Sequence, residues 1–247
     1  MASDPHLHWT PELVQRFWNH HAAHPDHFFT LTKGGGILRT LAPELAGRGT
    51  VLDYGCGGGH LLARLLEAGH RAGGLDFSAE AVKAARERFA SHANFLGAWE
   101  PEECLREDRR FDAILVVEVV EHLYDDVLDE TLARLRRLLT PEGVVIFTTP
   151  NQEKLEDEEV FCPCCGHVFH RWQHVRSWSA ESLGRHLAER GFAVTRAFAT
   201  DFGAAALAAD PKRRLRWKKR LRLRLRPAKK RRPHLVVAAR LADRGAG

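Results

Sequence analysis

No apolar run in this chain of 247 residues approaches the roughly 20 residues that a membrane-spanning helix needs. The first residues, Met1 to His6, lack both the basic start and the apolar stretch of a secretory signal. Cysteine is scarce: there are five, three of them crowded into residues 162–165. An odd count with that clustering argues against a secreted disulfide framework and for reduced thiols. These absences together predict a cytoplasmic protein. Acid is also missing from one place. Residues 212–232 hold 14 Lys or Arg and no Asp or Glu, and against a net charge of +5 this leaves −9 for the rest of the chain. The basic character therefore belongs to one stretch, and the remainder is acidic. The length suits one sizeable core.

The most informative segment is Val51-Leu-Asp-Tyr-Gly-Cys-Gly-Gly-Gly59. Val51 and Leu52 end a short apolar run, as a buried strand would. Gly55, Gly57, Gly58 and Gly59 allow positive φ and leave no Cβ to hold a ligand off. Leu61, Leu62, Leu65 and Leu66 then recur at helical spacing. Strand, glycine loop and helix in that order make a place where a nucleoside-type cofactor can lie on bare backbone near a helix N-terminus. A dinucleotide fingerprint would need a third glycine where His60 stands. Residues 71–75 read as a second strand that ends at Asp76, 23 residues beyond Asp53, near the offset of about 20 at which a carboxylate meets ribose hydroxyls. Phe77 beside it offers an apolar face to a purine. Phe111 to Val117 is apolar and β-branched, a buried strand, and leads into Glu118, Glu121 and His122. Gly143 to Thr149 is a further strand.

The set VLDYGCGGG, GLDFS, FDAILVVEVVEHL and GVVIFTTPN resembles the class I S-adenosylmethionine-dependent methyltransferases, within them the branch of the ubiquinone-type O-methyltransferases and their small-molecule relatives. The resemblance covers roughly residues 30–200. It implies an α/β fold: a Rossmann-like, seven-stranded, mostly parallel sheet with an antiparallel closing hairpin and helices on both faces. It implies S-adenosylmethionine as cofactor, with Asp53, Gly55, Cys56, Gly57 and Gly59 around the first loop, Asp76 and Phe77 at the second strand, and Val117 and Glu118 at the third motif. Residues 1–45 would be a helical lid, with Trp9, Leu13, Phe17 and Trp18 on one face of a helix starting at Thr10-Pro11. Lys33 is a candidate partner for the cofactor carboxylate. The methyltransferase core would occupy 46–247.

Two stretches depart from a minimal core. Residues 151–180 carry Cys162-Pro-Cys-Cys165-Gly followed by His167, His170 and His174. Thiolates at that spacing can face one metal, so Cys162, Cys165, His170 and His174 form a candidate structural zinc set. A free-thiol loop with a packing histidine, or redox chemistry, would explain the same residues. His174 is also claimed by the resemblance, as the histidine that relatives place beside their acceptor. The second departure is the basic arm at 211–233, between strands read at 192–198 and 234–241. Trp217, Leu221 and Leu225 recur at four-residue steps, so a helix there would suit an anionic bilayer at the inner face of the membrane. Leu-Arg alternation at 221–226 suits a strand equally. A flexible solvated arm is the plainer reading, and nucleic acid ranks below a membrane surface because only charge accompanies the run.

Transfer of a methyl group needs donor and acceptor held close and aligned. An oxygen acceptor also needs its proton removed, work a histidine does near neutral pH; His122 and His174 are the candidates. The expected function is O-methylation of a small-molecule, glycan or lipid intermediate. The alternatives are an RNA methyltransferase using the basic arm, and a non-catalytic module that keeps the fold to bind anions or membrane.

Overall fold

A computed structural model describes residues 5–22, 24, 28–203 and 232–242. Helix α1 (Pro11–Ala22) begins where Thr10 Oγ1 accepts the Leu13 amide. Helix α2 (Phe29–Leu45) runs straight through Gly34, Gly35 and Gly36. Close packing explains the glycines there better than turn formation, since a Cβ on Gly36 would stand 2.0 Å from the Phe202 carbonyl oxygen.

Strand and helix then alternate: β1 (Val51–Tyr54), α3 (His60–Glu67), β2 (Ala72–Leu75), α4 (Ala79–Phe89), β3 (Phe95–Trp99), α5 (Pro101–Arg106), β4 (Phe111–Val117), α6 (Asp125–Leu138) and β5 (Leu139–Pro150). Ser78 caps α4 by accepting the Ala81 amide. A 3-10 turn at Leu155–Glu158 leads into the short strands β6 (Glu159–Phe161) and β7 (Val168–His170), and α7 (Ala180–Glu189), β8 (Phe192–Thr200) and β9 (His234–Leu241) close the domain.

The main sheet has seven strands in the order β3-β2-β1-β4-β5-β9-β8. β9 runs antiparallel to both neighbours, and the other recorded pairings are parallel. This is the Rossmann-like sheet with its antiparallel closing hairpin that the sequence predicts. The strand residues alternate between two apolar layers, as a period of two demands. Leu52, Ile114, Val116 and Phe147 pack with α6 and α7, whereas Val51, Ala113, Leu115 and Ile146 pack with α2, α3 and α4. Both faces of the sheet are thus covered, which parallel sheets require. β3 and α5 escaped the sequence reading. β3 contains Gly97 at φ +128, against which Trp99 packs, so its apolar pattern is interrupted.

β6 and β7 form a separate antiparallel pair, in which Phe161 faces Val168 and Glu159 faces His170. The basic arm lies outside the described residues except at its end, Arg232 and Pro233. No helix among the described residues is long and apolar enough to cross a membrane.

Candidate active site

The carboxyl ends of β1, β2, β4 and β5 open into one cavity of about 2180 Å³, at the position where parallel α/β sheets bind ligands. One wall is the glycine loop. Gly55 and Gly57 take φ +78 and +46, and Gly55, Cys56, Gly57 and Gly58 line the space. Phe28 closes over Gly57, 3.3 Å from where its Cβ would be. Asp76 also lines the cavity. Its Oδ2 accepts the Gly57 amide at 2.8 Å and its Oδ1 the Ser78 amide at 3.0 Å, so it fastens the loop to the end of β2. Burial raises its pKa, and the bonds from Ser78 and Gly57 hold it down in part. Phe77 is 60% exposed at the rim.

Asp53 and Gly59 lie behind this wall, not on it. Asp53 is buried and takes a hydrogen bond from the Leu62 backbone, tying β1 to the first turn of α3; burial, then the nearby Asp76 charge, push its pKa up to about 7. Gly59 is the left-handed residue before α3, packed against Phe89. Lys33 departs from expectation. It is absent from the cavity wall, and its Nζ lies against Gly203. Thr32 does line the cavity, and one further residue along a helix turns the side chain away by about 100°.

The opposite wall gathers residues distant in sequence. Val117 ends β4, and Glu118 follows at φ +53. The Thr148 hydroxyl donates to Glu118 Oε1 at 2.8 Å, while burial pushes the Glu118 pKa up to about 7. Glu121 is buried beside Thr149; burial, then Glu118, raise its pKa well above the ordinary range, and Thr149 offsets this only in part. His122 is held at about 3, first by burial and then by His174. Its ring meets Trp18 of α1 edge-on at 4.9 Å and His174 at 4.8 Å.

Gln173, fully buried at φ +61, joins these parts. Its Oε1 accepts Trp18 Nε1 at 3.1 Å, its Nε2 donates to the His122 carbonyl at 3.1 Å, and its own carbonyl lies 3.4 Å from His122 Nδ1. Val175 N also donates to the Glu121 carbonyl. The segment after β7 is therefore strapped across the loop after β4.

Glu153 completes the wall. Its Oε2 lies 2.5 Å from His174 Nδ1, and its Oε1 lies 3.6 Å from His170 Nε2. Burial works against its charge, but the His170 and His174 rings beside it prevail and bring its pKa down to about 2. The proton on His170 can be placed. Its Nδ1 accepts the Trp172 and His174 amides at 3.3 and 3.2 Å, so a neutral ring carries its hydrogen on Nε2, directed at Glu153.

The structure thus brings His122 and His174 together in the cavity that the glycine loop also lines, and it separates the cysteines of the candidate zinc set from its histidines. Among the described residues, the groups whose donor atoms gather within 4.8 Å are Glu121, His122, His174 and Glu153, His170, His174; neither contains a cysteine. The hairpin register is the reason. His170 faces Glu159, three residues from Cys162, about 10 Å at 3.3 Å per residue. The second group does not offer His170 Nε2 to a metal while that atom carries the proton. Cys162 takes bonds from the Cys165 and Cys164 amides and from the Cys165 thiol, which lower its pKa. Sequence reasoning passed over Glu153 and Gln173, which no motif marks.

A family model described as a methyltransferase domain matches residues 29–197, well over half of the chain. The chain belongs to that family. It is 31% identical over 157 residues to the ubiquinone biosynthesis O-methyltransferase of Aromatoleum aromaticum, covering 62% of this chain and 65% of that protein. It is 28% identical to a probable S-adenosylmethionine-dependent methyltransferase of Mycolicibacterium smegmatis, covering 70% of this chain and 63% of the relative. The chain thus spans just under two thirds of these relatives. Among solved structures, the 1,6-didemethyltoxoflavin-N1-methyltransferase of Burkholderia thailandensis, with bound 1,6-didemethyltoxoflavin and S-adenosylhomocysteine, superposes with a TM-score of 0.62 at 18% identity, over 96% of this chain and 92% of that one. At that identity the likeness establishes the fold.

Proposed function

We propose that this methyltransferase-domain protein transfers a methyl group from S-adenosylmethionine to an oxygen of a small molecule. The observation that carries the reading is the pairing of two walls across one cavity: bare glycine backbone with Asp76 on one side, and a histidine held by a carboxylate on the other. The residues fit the cofactor. Gly55, Gly57 and Gly58 present backbone without Cβ, Phe77 offers an apolar face, and each Asp76 oxygen, though it already accepts one amide, keeps a lone pair for a ribose hydroxyl. Cys56, Val117 and Glu118 complete the proposed contacts. When bound, the cofactor supplies a methyl group activated by positive charge on sulfur, so the protein's share is placement and proton removal.

His174 is the proposed base. With its Nδ1 hydrogen directed at Glu153, its Nε2 keeps a lone pair to receive the acceptor's hydroxyl proton, and Glu153 then balances the imidazolium. His122 is less suited to that task, because with a pKa of about 3 it retains no proton near neutrality. We assign it to shaping the wall with Trp18. Trp9, Trp18 and Trp172 line the cavity and suit a partly apolar acceptor screened from water. The glycan and lipid classes of acceptor, and a membrane surface for the basic arm, belong to the same reading.

Calorimetry with S-adenosylhomocysteine on the folded protein tests the proposal at its base. Saturable binding is expected; absence of any heat would remove the enzymatic reading.

A further inference from the structure

The proposed chemistry uses one oxygen of Glu153 and leaves the other unexplained. Oε2 holds the His174 ring at 2.5 Å, while Oε1 lies 3.6 Å from His170 Nε2. His170 ends β7, is buried, and does not line the cavity. It therefore meets neither cofactor nor acceptor, and any part it has in the reaction passes through another side chain.

Three contacts tie it to His174. Its Nδ1 accepts the His174 backbone amide at 3.2 Å, together with the Trp172 amide at 3.3 Å. Its ring lies against the His174 ring, with centroids 4.3 Å apart and planes 18° from parallel. Its Nε2 faces the carboxylate that holds the same imidazole. The main chain fixes His170 in turn: its carbonyl accepts the Gln173 amide at 2.9 Å, and it pairs with Glu159 across the hairpin.

The two nitrogens make the arrangement directional. Two amides aimed at Nδ1 require a lone pair there, so the hydrogen of the neutral ring sits on Nε2. That nitrogen is buried and makes no hydrogen bond to another described group, so none of these competes with Glu153 for it. The separation of 3.6 Å is longer than a formed hydrogen bond, as contacts in active sites often are before substrate tightens them. A carboxylate free to rotate could turn away from His174. A donor held at Oε1 keeps Oε2 in place.

We infer that His170 is a positioning residue: its Nε2 hydrogen fixes Glu153, which keeps the His174 hydrogen on Nδ1 and leaves His174 Nε2 free to take the acceptor's proton. The inference rests on the reading of His174 as the base. His170 itself gains and loses no proton. A histidine that only closed the turn from β7 to His174 would need Nδ1 alone.

The two nitrogens can be tested apart. In His170→Gln the side-chain amide reaches the place of Nε2 and can donate to Glu153. In His170→Asn it reaches the place of Nδ1 and can accept the backbone amides, with nothing left to donate to Glu153. The readout is the proton resonance of the His174 Nδ1 hydrogen, in the full chain with isotope-labelled histidine and saturating S-adenosylhomocysteine. A hydrogen in so short a bond to a carboxylate resonates far downfield, and Glu153→Gln and His174→Ala identify it by removing it. The resonance should survive in His170→Gln and be lost to exchange with water in His170→Asn. Calorimetry should give the parent's affinity for S-adenosylhomocysteine in both, which shows that they fold. A resonance that persists in His170→Asn, one lost in both variants, or a loss of cofactor affinity in either would overturn this inference alone. Its absence from the parent would remove the pairing of Glu153 with His174, and with it both the proposed base and this inference.

Discussion

The two walls of the cavity are built in opposite ways. The glycine-loop wall comes from two short contiguous segments, residues 54–58 and 75–78, each following its own strand, joined by the bond from Gly57 N to Asp76. The facing wall draws on Trp18, Glu118, His122, Glu153, Gln173 and His174, from four separate parts of the chain, and is held by side-chain bonds. A wall made from backbone geometry tolerates change around it. A wall made from buried polar side chains depends on each of them, because a buried partner left unsatisfied costs about 1–3 kcal/mol. Perturbing either wall should therefore leave the other's readout intact.

The sharpest division is expected from His174→Ala. Loss of a general base should reduce kcat by about 10²- to 10⁴-fold while S-adenosylhomocysteine affinity stays as it was; an unchanged kcat would remove His174 from the chemistry. Asp76→Ala strikes the other wall and should weaken S-adenosylhomocysteine binding by about tenfold or more, about 1.4 kcal/mol, as measured by calorimetry. Equal affinity would show that the carboxylate only ties the loop. Gln173→Leu removes the strap and leaves Trp18 Nε1 and the His122 carbonyl without partners. It should cost about 1–3 kcal/mol in stability and raise KM for the acceptor several-fold with cofactor affinity unaltered; a loss of cofactor binding would mean that the walls are not independent.

The smallest effect is a dependence on pH. His122 is depressed to about 3, so between its ordinary value near 6.5 and about 3 the unfolded chain binds a proton that the folded one refuses, and acid destabilises the fold through this residue. Asp53 and Glu118, raised to about 7, act in the opposite sense, since the folded chain takes up their protons first as pH falls from 7 towards their ordinary values. The whole-protein profile thus mixes opposed contributions, and the informative quantity is a difference. His122→Gln should gain stability relative to the parent as pH falls from 6.5, by at most about 1.4 kcal/mol per pH unit, followed by denaturant melts. A difference that does not change with pH would show that His122 is not held neutral.

Local pattern made much of the fold legible. Val51–Tyr54, Phe111–Val117 and His234–Leu241 read as strands because they are short apolar runs bounded by turn residues, and Ser78 announced α4 as its cap. The pattern was silent where one residue type serves two ends: Gly34, Gly35 and Gly36 lie inside a helix, with Arg64 packed against Gly34 and Phe202 against Gly36. The positions of Lys33 and of the four candidate zinc ligands were hidden for a related reason. Spacing along the chain says which residues can share a face, but not toward what that face turns.

What the sequence determined by itself is the geometry of the glycine loop and the parallel sheet beneath it, because backbone conformation after a strand is written in adjacent glycines and in the carboxylate that meets them. What only the tertiary structure decided is the composition of the facing wall: that Glu153 belongs to His174, that Gln173 binds Trp18 to His122, and that the two cysteines stand apart from the histidines. Those are contacts across 21, 155 and 51 positions of chain, and for the hairpin a matter of strand register. Such pairings follow from the way the sheet, the strap and α1 close on one another, and no local run of residues encodes them.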